Sequence, residues 1–340
     1  MPGACGPRAG TRARSLRTLL NWWLVSFAAL IAAEPAPAQQ PPQSQHLVTI
    51  GSGEYGGVYF PAAGALCRLL NRETGRHGIR CVAEPSRGSL QNVADLLDDR
   101  TDFGIVQTDI QADAVLGRGR FAKKGPQHQL RALFALHAEP ITVLARLDAG
   151  SGEIQGLRGD RVALGQPTSG TRATMSMLLD ALSMTEADFS AVADFGPQVA
   201  GTALCENRID AFAYVVGHPN HLVRGVSESC AIRIVAIRGP AIDALLARHP
   251  YMTQARIAGG LYVGVDESVP TIGVRASVLT TDRLDEQAAY EITRAVGENL
   301  QALGDLHPAL AGLRIDDLRA GMTAPLHPGA ARYFAERLAR

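Results

Sequence analysis

The chain lacks most of what marks a catalyst or a nucleic-acid binder. Its 33 lysines and arginines balance 33 aspartates and glutamates, so no excess of charge argues for a polyanionic partner or an anionic membrane surface. Lysine occurs only as Lys123 and Lys124, in a glycine-bearing stretch over 117–127 that reads as a solvated loop. No C-x-x-C pair is present and the histidines are scattered, which leaves a zinc site without a framework. His218 and His221, three apart, read as pocket-wall or surface residues beside Pro219. No G-x-S-x-G occurs, so the nucleophile elbow of an α/β hydrolase is excluded. Ser169 imitates one between a strand and a helix but lacks the flanking glycines.

The one long apolar run lies at the N-terminus. Arg8, Arg12, Arg14 and Arg17 precede a largely apolar stretch over 19–33, and Ala36-Pro37-Ala38 supplies small residues for cleavage before Gln39. This predicts a secretory signal peptide over 1–38, cleaved near Ala38. About fifteen apolar residues fall short of the ~20 that span a bilayer, which argues against a retained anchor. Its removal leaves a slightly acidic exported chain. Residues 39–45, polar and proline-bearing, predict a disordered leader. The remainder is long enough for two domains at roughly 100–200 residues each. Cys5 leaves with the signal, and Cys67, Cys81, Cys205 and Cys230 form an even set in an oxidising compartment. Of three connectivities, Cys67 with Cys81 and Cys205 with Cys230 are preferred. Each joins a predicted helix to a strand, or a strand's approach, a short way downstream.

The exported part opens on LVTIGSGEYGGVYFP, residues 47–61. Leu47, Val48 and Ile50 predict a strand that breaks into GSGEYGG before a helical pattern from about Val58. Glycines let main-chain N–H groups approach a ligand closely, and a helix start favours an anion. A strand over 79–83 follows, Ser89 reads as the N-cap of a second helix, and a strand over 103–107 leads through Gln107 into a third. Residues 130–136 and 141–147 read as two strands separated by His137-Ala138-Glu139-Pro140. A second series then begins: strand 161–165, loop 166–172, a helix through Met175 and Leu179, strands 211–216 and 232–237, helix 240–248. A strand over 271–280 returns to the first lobe, followed by a long helix over 285–303 and a last helix ending near Arg340. The pattern predicts an α/β chain of two lobes, 46–142 with 266–340 and 143–265, joined by two crossings that make a hinge.

Gly51, Gly53 and Gly56 satisfy G-x-G-x-x-G, but the nearest strand-end acid, Glu84, lies beyond the spacing of about 20 residues that a dinucleotide site wants. Binding without chemistry asks for less. Loop glycines, the hydroxyls of Ser52, Ser89, Ser169 and Thr171, the amides of Asn92 and Gln107, and Arg87 and Arg172 suit a small carboxylate with no nucleophile or base. No cofactor, metal or nucleic acid is expected.

GSGEYGGVYFPAAGALC, SRGSLQN, VQTD, SGTR, DAFAYVVGHP and PLHPGAARYF resemble, in order, segments of the TAXI-type solute receptors of tripartite ATP-independent periplasmic (TRAP) transporters. The match spans nearly the whole mature chain. The resemblance implies a type II periplasmic-binding-protein fold whose two α/β lobes close on one small organic anion. It implies a monomeric, non-enzymatic periplasmic receptor that hands its solute to a TRAP-type membrane permease. It also implies a pocket in which Gly53, Gly56, Val58, Tyr59, Ser89, Asn92 and Gln107 face Ser169, Gly170, Thr171 and Tyr214. Arg87 departs from the family, which often has glycines before the serine of that loop. A guanidinium there favours a glutamate-like amino acid or a dicarboxylate, or else points outward. The alternative from another class is a periplasmic ligand sensor that presents its closed form to a membrane signalling protein.

Overall fold

The GSGEYGG stretch sets the direction of the first turn. The structure, a computed structural model, describes residues 46–150 and 152–339, so the expected signal peptide and leader lie outside the described residues. β1 (His46–Gly51) enters the glycine loop and α1 (Tyr59–Arg72) leaves it. After a single turn, α2 (Thr74–His77), the left-handed Gly78 redirects the chain into β2 (Ile79–Glu84), parallel to β1. α3 (Ser89–Leu97), β3 (Phe103–Gln107) and α4 (Thr108–Leu116) repeat the step. Every residue of β3 is buried, as befits a parallel strand covered on both faces.

The two strands expected on either side of 137–140 are one, β4 (Leu130–Arg146). Pro140 sits where this strand changes partner. Residues up to 140 pair with β10 (Val269–Thr281), whereas 141–145 pair with β7 (Ala211–Val215). A proline at a changeover removes little from either ladder. Gly273 of β10 faces it, and a Cβ there would lie 2.7 Å from the Glu139 carbonyl oxygen, so glycine permits the close crossing.

The chain between β4 and β10 holds β5 (Arg161–Ala163), α5 (Gly170–Ala181), β6 (Ala191–Ala193), α6 (Pro197–Cys205), β7, α7 (His221–Ser229), β8 (Ile232–Ile234), α8 (Pro240–Arg248) and β9 (Thr253–Ile257). β6 and β9 were not expected. One is three residues long, and the other is mostly exposed and polar, so neither carries an apolar alternation. After β10 come α9 (Glu286–Gly297), α10 (Leu300–Leu306) and α11 (Pro328–Leu338). The single helix expected over 285–303 breaks at Glu298 and Asn299. Asn299 uses its side-chain amide to donate to the Ala295 carbonyl, a local bond that competes with helical continuation.

All ten strands join in one sheet of order β2-β1-β3-β10-β4-β7-β5-β6, with β8 added on β4 and β9 on β10. β4 and β10 therefore run between a half built on β1–β3 and a half built on β5–β8. Ile50, Leu66, Leu70 and Phe103 pack the first half, and Val162, Met175, Leu178 and Ala213 the second. Cys67 of α1 is bonded to Cys81 of β2, and Cys205 of α6 to Cys230 just after α7, with Cα atoms 4.9 and 5.4 Å apart. Among the described residues no helix is long and apolar enough to cross a membrane.

Candidate functional site

The loops after β1, β3, β5 and β7 and the starts of α3 and α5 surround a cavity with about 80 Å³ of free space. At ~10–15 Å³ per water, that is room for roughly six waters. Gly53, Val58, Tyr59, Arg87, Ser89 and Gln107 line it from the β1–β3 half, and Ser169, Gly170, Thr171 and Tyr214 from the other.

Each wall is held by its own backbone. Gly88, at φ +99°, precedes α3, and Ser89 is its first helical residue rather than its cap. The Ser89 hydroxyl instead accepts the Gln107 amide N–H at 3.0 Å, tying α3 to the end of β3. Opposite, Ser169 is the N-cap of α5. Its Oγ accepts the Arg172 N–H at 3.1 Å and donates to the Gln166 carbonyl at 2.8 Å. Thr171 Oγ1 accepts the Val215 N–H at 3.2 Å, fixing α5 to the end of β7. The walls touch through Gly170, where a Cβ would lie 1.8 Å from Gln107 Oε1 and 3.1 Å from Ser89 Oγ. Gln107 Oε1 is buried without a hydrogen-bond partner. Arg87 is exposed and lines the mouth.

Ser52, Gly56, Asn92 and Arg172 stand outside the cavity lining. Ser52 is fully buried and donates to the Glu84 carbonyl, while its own carbonyl accepts from Asn92 Nδ2 at 2.7 Å. Asn92 also donates to the Ile105 carbonyl, which makes it a strut between β1 and β3. Gly56 packs against Gln198 of α6. Arg172 turns away from the cleft. Its guanidinium forks onto both oxygens of Glu186, and Nη1 donates to Asp194 and to the Gly165 carbonyl. Two carboxylates within reach of one planar fork leave little reason to face a ligand.

Two acids not expected at the site line it: Glu54 and Glu139. Glu139 lies at the centre of β4 and is 2% exposed. Its Oε2 accepts the Tyr59 hydroxyl at 2.8 Å, and its Oε1 is 3.7 Å from His137 Nε2. No arginine or lysine pairs with it among the described residues. Burial, reinforced by Glu139, drives the Tyr59 phenol well above its ordinary value, so it stays a donor. Burial also raises the Glu54 carboxyl and, with help from Glu54 and Glu139, the Tyr214 phenol. The sequence did hold a signal for Glu139, the single acid in the largely apolar stretch over 130–146.

His218 and His221 do not share a helix face. His221 starts α7, whereas His218 lies in the loop before it, bonded to Thr142 Oγ1 at 2.8 Å and to the Tyr262 hydroxyl at 2.5 Å. Burial lowers the His218 ring to about 4. Among the described residues no group of three His, Cys, Asp or Glu side chains is placed to hold a metal ion.

The pattern of the NMT1-like family matches residues 50–337, which is most of the chain. The chain belongs to that family. A protein of Bordetella bronchiseptica RB50 is similar in structure at 14% identity, over 87% of this chain and 90% of that one, with a TM-score of 0.52. The periplasmic aliphatic sulphonate binding protein SsuA from Escherichia coli is 13% identical over 86% of this chain and 88% of its own, at 0.46. A histidine kinase sensor domain with similarity to periplasmic binding proteins is 11% identical over 80% and 98%, at 0.43. At 14% identity the likeness to the Bordetella protein is one of fold. The NMT1-like chain has the α/β architecture expected for it, helices packed on a central mixed sheet, and its two disulfides accord with an exported protein.

Proposed function

We propose that this NMT1-like protein is a periplasmic solute receptor of the TAXI type. It closes two lobes, 46–142 with 266–340 and 143–265, over a small glutamate-like amino acid and delivers it to a TRAP-type membrane permease. The observation that carries the ligand class is Glu139, a buried carboxylate in the cavity wall with no arginine or lysine paired to it among the described residues. A dicarboxylate would bring more negative charge against Glu139 and Glu54 in a poorly solvated space, where like charges repel strongly. An amino acid answers both sides of the cleft. Its ammonium group faces Glu139, and its carboxylate faces the helix starts at Ser89 and Ser169 and the guanidinium of Arg87.

A thermal-shift panel tests the reading, pairing L-glutamate and other amino acids with the dicarboxylates that lack the amine. One amino acid should raise the melting temperature in step with the logarithm of its concentration, with about 2.7 kcal/mol of stabilisation at a hundredfold excess over Kd. Equal binding of the matching dicarboxylate would overturn the amine assignment, and turnover of the bound compound would overturn the receptor role. In vesicles carrying the permease, uptake should require this protein. Binding without any support of uptake would favour the sensor.

A further inference from the structure

A second buried acid lies where the two walls of the cleft meet, behind the cavity. Asp109, in the first turn of α4, is 1% exposed. Its Oδ1 accepts the Ile110 N–H at 2.8 Å, and its Oδ2 is 2.5 Å from the hydroxyl of Thr174 on α5, across the cleft. Thr174 Oγ1 also lies 3.0 Å from the Gly170 carbonyl. A threonine hydroxyl has one proton to give. Against an ionised Asp109 that proton serves one acceptor and leaves the other. With Asp109 protonated, its own O–H donates to Thr174, Thr174 donates to Gly170, and both bonds are made.

The surrounding charges favour the neutral acid. Burial is the largest cause and pushes the Asp109 carboxyl up to about 7, against the hydrogen bonds from Thr174 and Ile110, which lower it; Asp113 on the same helix and Glu139 on β4 add smaller raising contributions. The nearby cations are engaged or turned elsewhere. Arg172 on α5 is held by Glu186 and Asp194, Arg275 on β10 donates to the Leu136 carbonyl, Arg118 faces Asp113, and Arg120 is exposed. Asp95 on α3 is paired with Arg100, and Asp180 is exposed on α5. The phenols of Tyr59 and Tyr251 also lie near it.

We propose that Asp109 and Thr174 form a proton-carrying clasp across the cleft, so that the closed receptor holds one proton more than the open one. The proposal rests on the reading above in that the halves must move apart. Once they do, Asp109 meets water and returns toward the ordinary ~3.9. The protonated form is then preferred by the closed state, so acid favours closure. The closed-to-open ratio rises about tenfold per unit as pH falls from about 7 toward 4, and it is flat above 7.

Small-angle scattering on the mature protein without ligand, from pH 5 to pH 8, reads this directly in the wild type, Asp109→Asn and Thr174→Val. The wild type should compact as pH falls. Asp109→Asn, whose amide donates to Thr174 at any pH, should be compact throughout, and Thr174→Val should stay open. If Thr174→Val does not fold, the Asp109→Asn comparison decides. The clasp is overturned if the wild type shows no pH response, or if Asp109→Asn keeps the wild-type profile, which would assign the response to another cleft acid such as Glu54. Compaction at pH 8 by the amino acid found in the panel separates the two readings. If it occurs while the pH response does not, the receptor stands and the clasp falls. If neither occurs, both fall.

Discussion

A buried charge is worth what it is paired with, and Glu139 is paired with little. A tyrosine hydroxyl satisfies one oxygen, and the nearest cationic candidate, His137, is 3.7 Å away. An unpaired buried carboxylate costs stability that a cationic ligand group recovers on binding. Glu139→Gln keeps an acceptor for Tyr59 while removing the charge. It should fold with unchanged or higher melting temperature and lose affinity for the amine-bearing ligand by tenfold or more, about 1.5–3 kcal/mol. Calorimetric titration checks this, and an unaltered Kd would remove Glu139 from recognition. His218, partly buried, makes the opposite kind of site, a base kept neutral. Its folded value near 4 lies below the ordinary ~6.5, so the fold binds fewer protons than the unfolded chain between those values. The stability it contributes is present above about pH 6.5 and lost toward pH 4, at about 1.4 kcal/mol per unit. Urea midpoints should therefore show the wild type losing ground against His218→Gln between pH 7 and pH 5; parallel curves would sink the assignment. Which polar side chains serve the fold was harder to read from sequence than which are polar. Asn92 and Arg172 have the chemistry of ligand contacts, but a carbonyl pair and an acid pair brought in from distant segments consume them.

At the scale of elements, local pattern was a good guide wherever one element decided its own fate. β3, α8 and the return strand β10 follow from apolar spacing and turn residues. β4 did not, because a proline inside a strand is harmless only at a partner changeover, which depends on β7 and β10 folding alongside. The long C-terminal helix did not either, because its break is set by Asn299. α6 and α7 are held together by the Cys205–Cys230 bond, which closes a separation of 25 residues. A loop of that length restricts the unfolded chain by about 3.5 kcal/mol. Cys205→Ser with Cys230→Ser should therefore lower stability by that order while leaving the ligand cavity in place, since neither residue lines it. A denaturant midpoint shifted with unchanged Kd is the expected pair of results. Loss of binding in a folded variant would show that the α6–α7 pair positions the cleft.

For the whole molecule, the functional question is whether the contact between the two halves is made and broken. Two long strands carry the chain between them, and the halves meet at Gly170. A methyl there would lie 1.8 Å from Gln107 Oε1, whose side chain is buried, and 3.1 Å from Ser89 Oγ, which is tied to the Gln107 backbone. Room for it requires the buried Gln107 side chain to swing aside or the halves to stand apart, because Gly170 belongs to α5 and the obstructing atoms to β3 and α3. Alanine suits a helix better than glycine, so nothing within α5 itself opposes the change. Gly170→Ala should therefore leave the ligand-free melting temperature nearly unchanged or slightly raised. Affinity should fall by more than tenfold, and the ligand should no longer compact the protein in small-angle scattering. A large loss of stability with no ligand present would mean that the contact is permanent and the cleft does not open there.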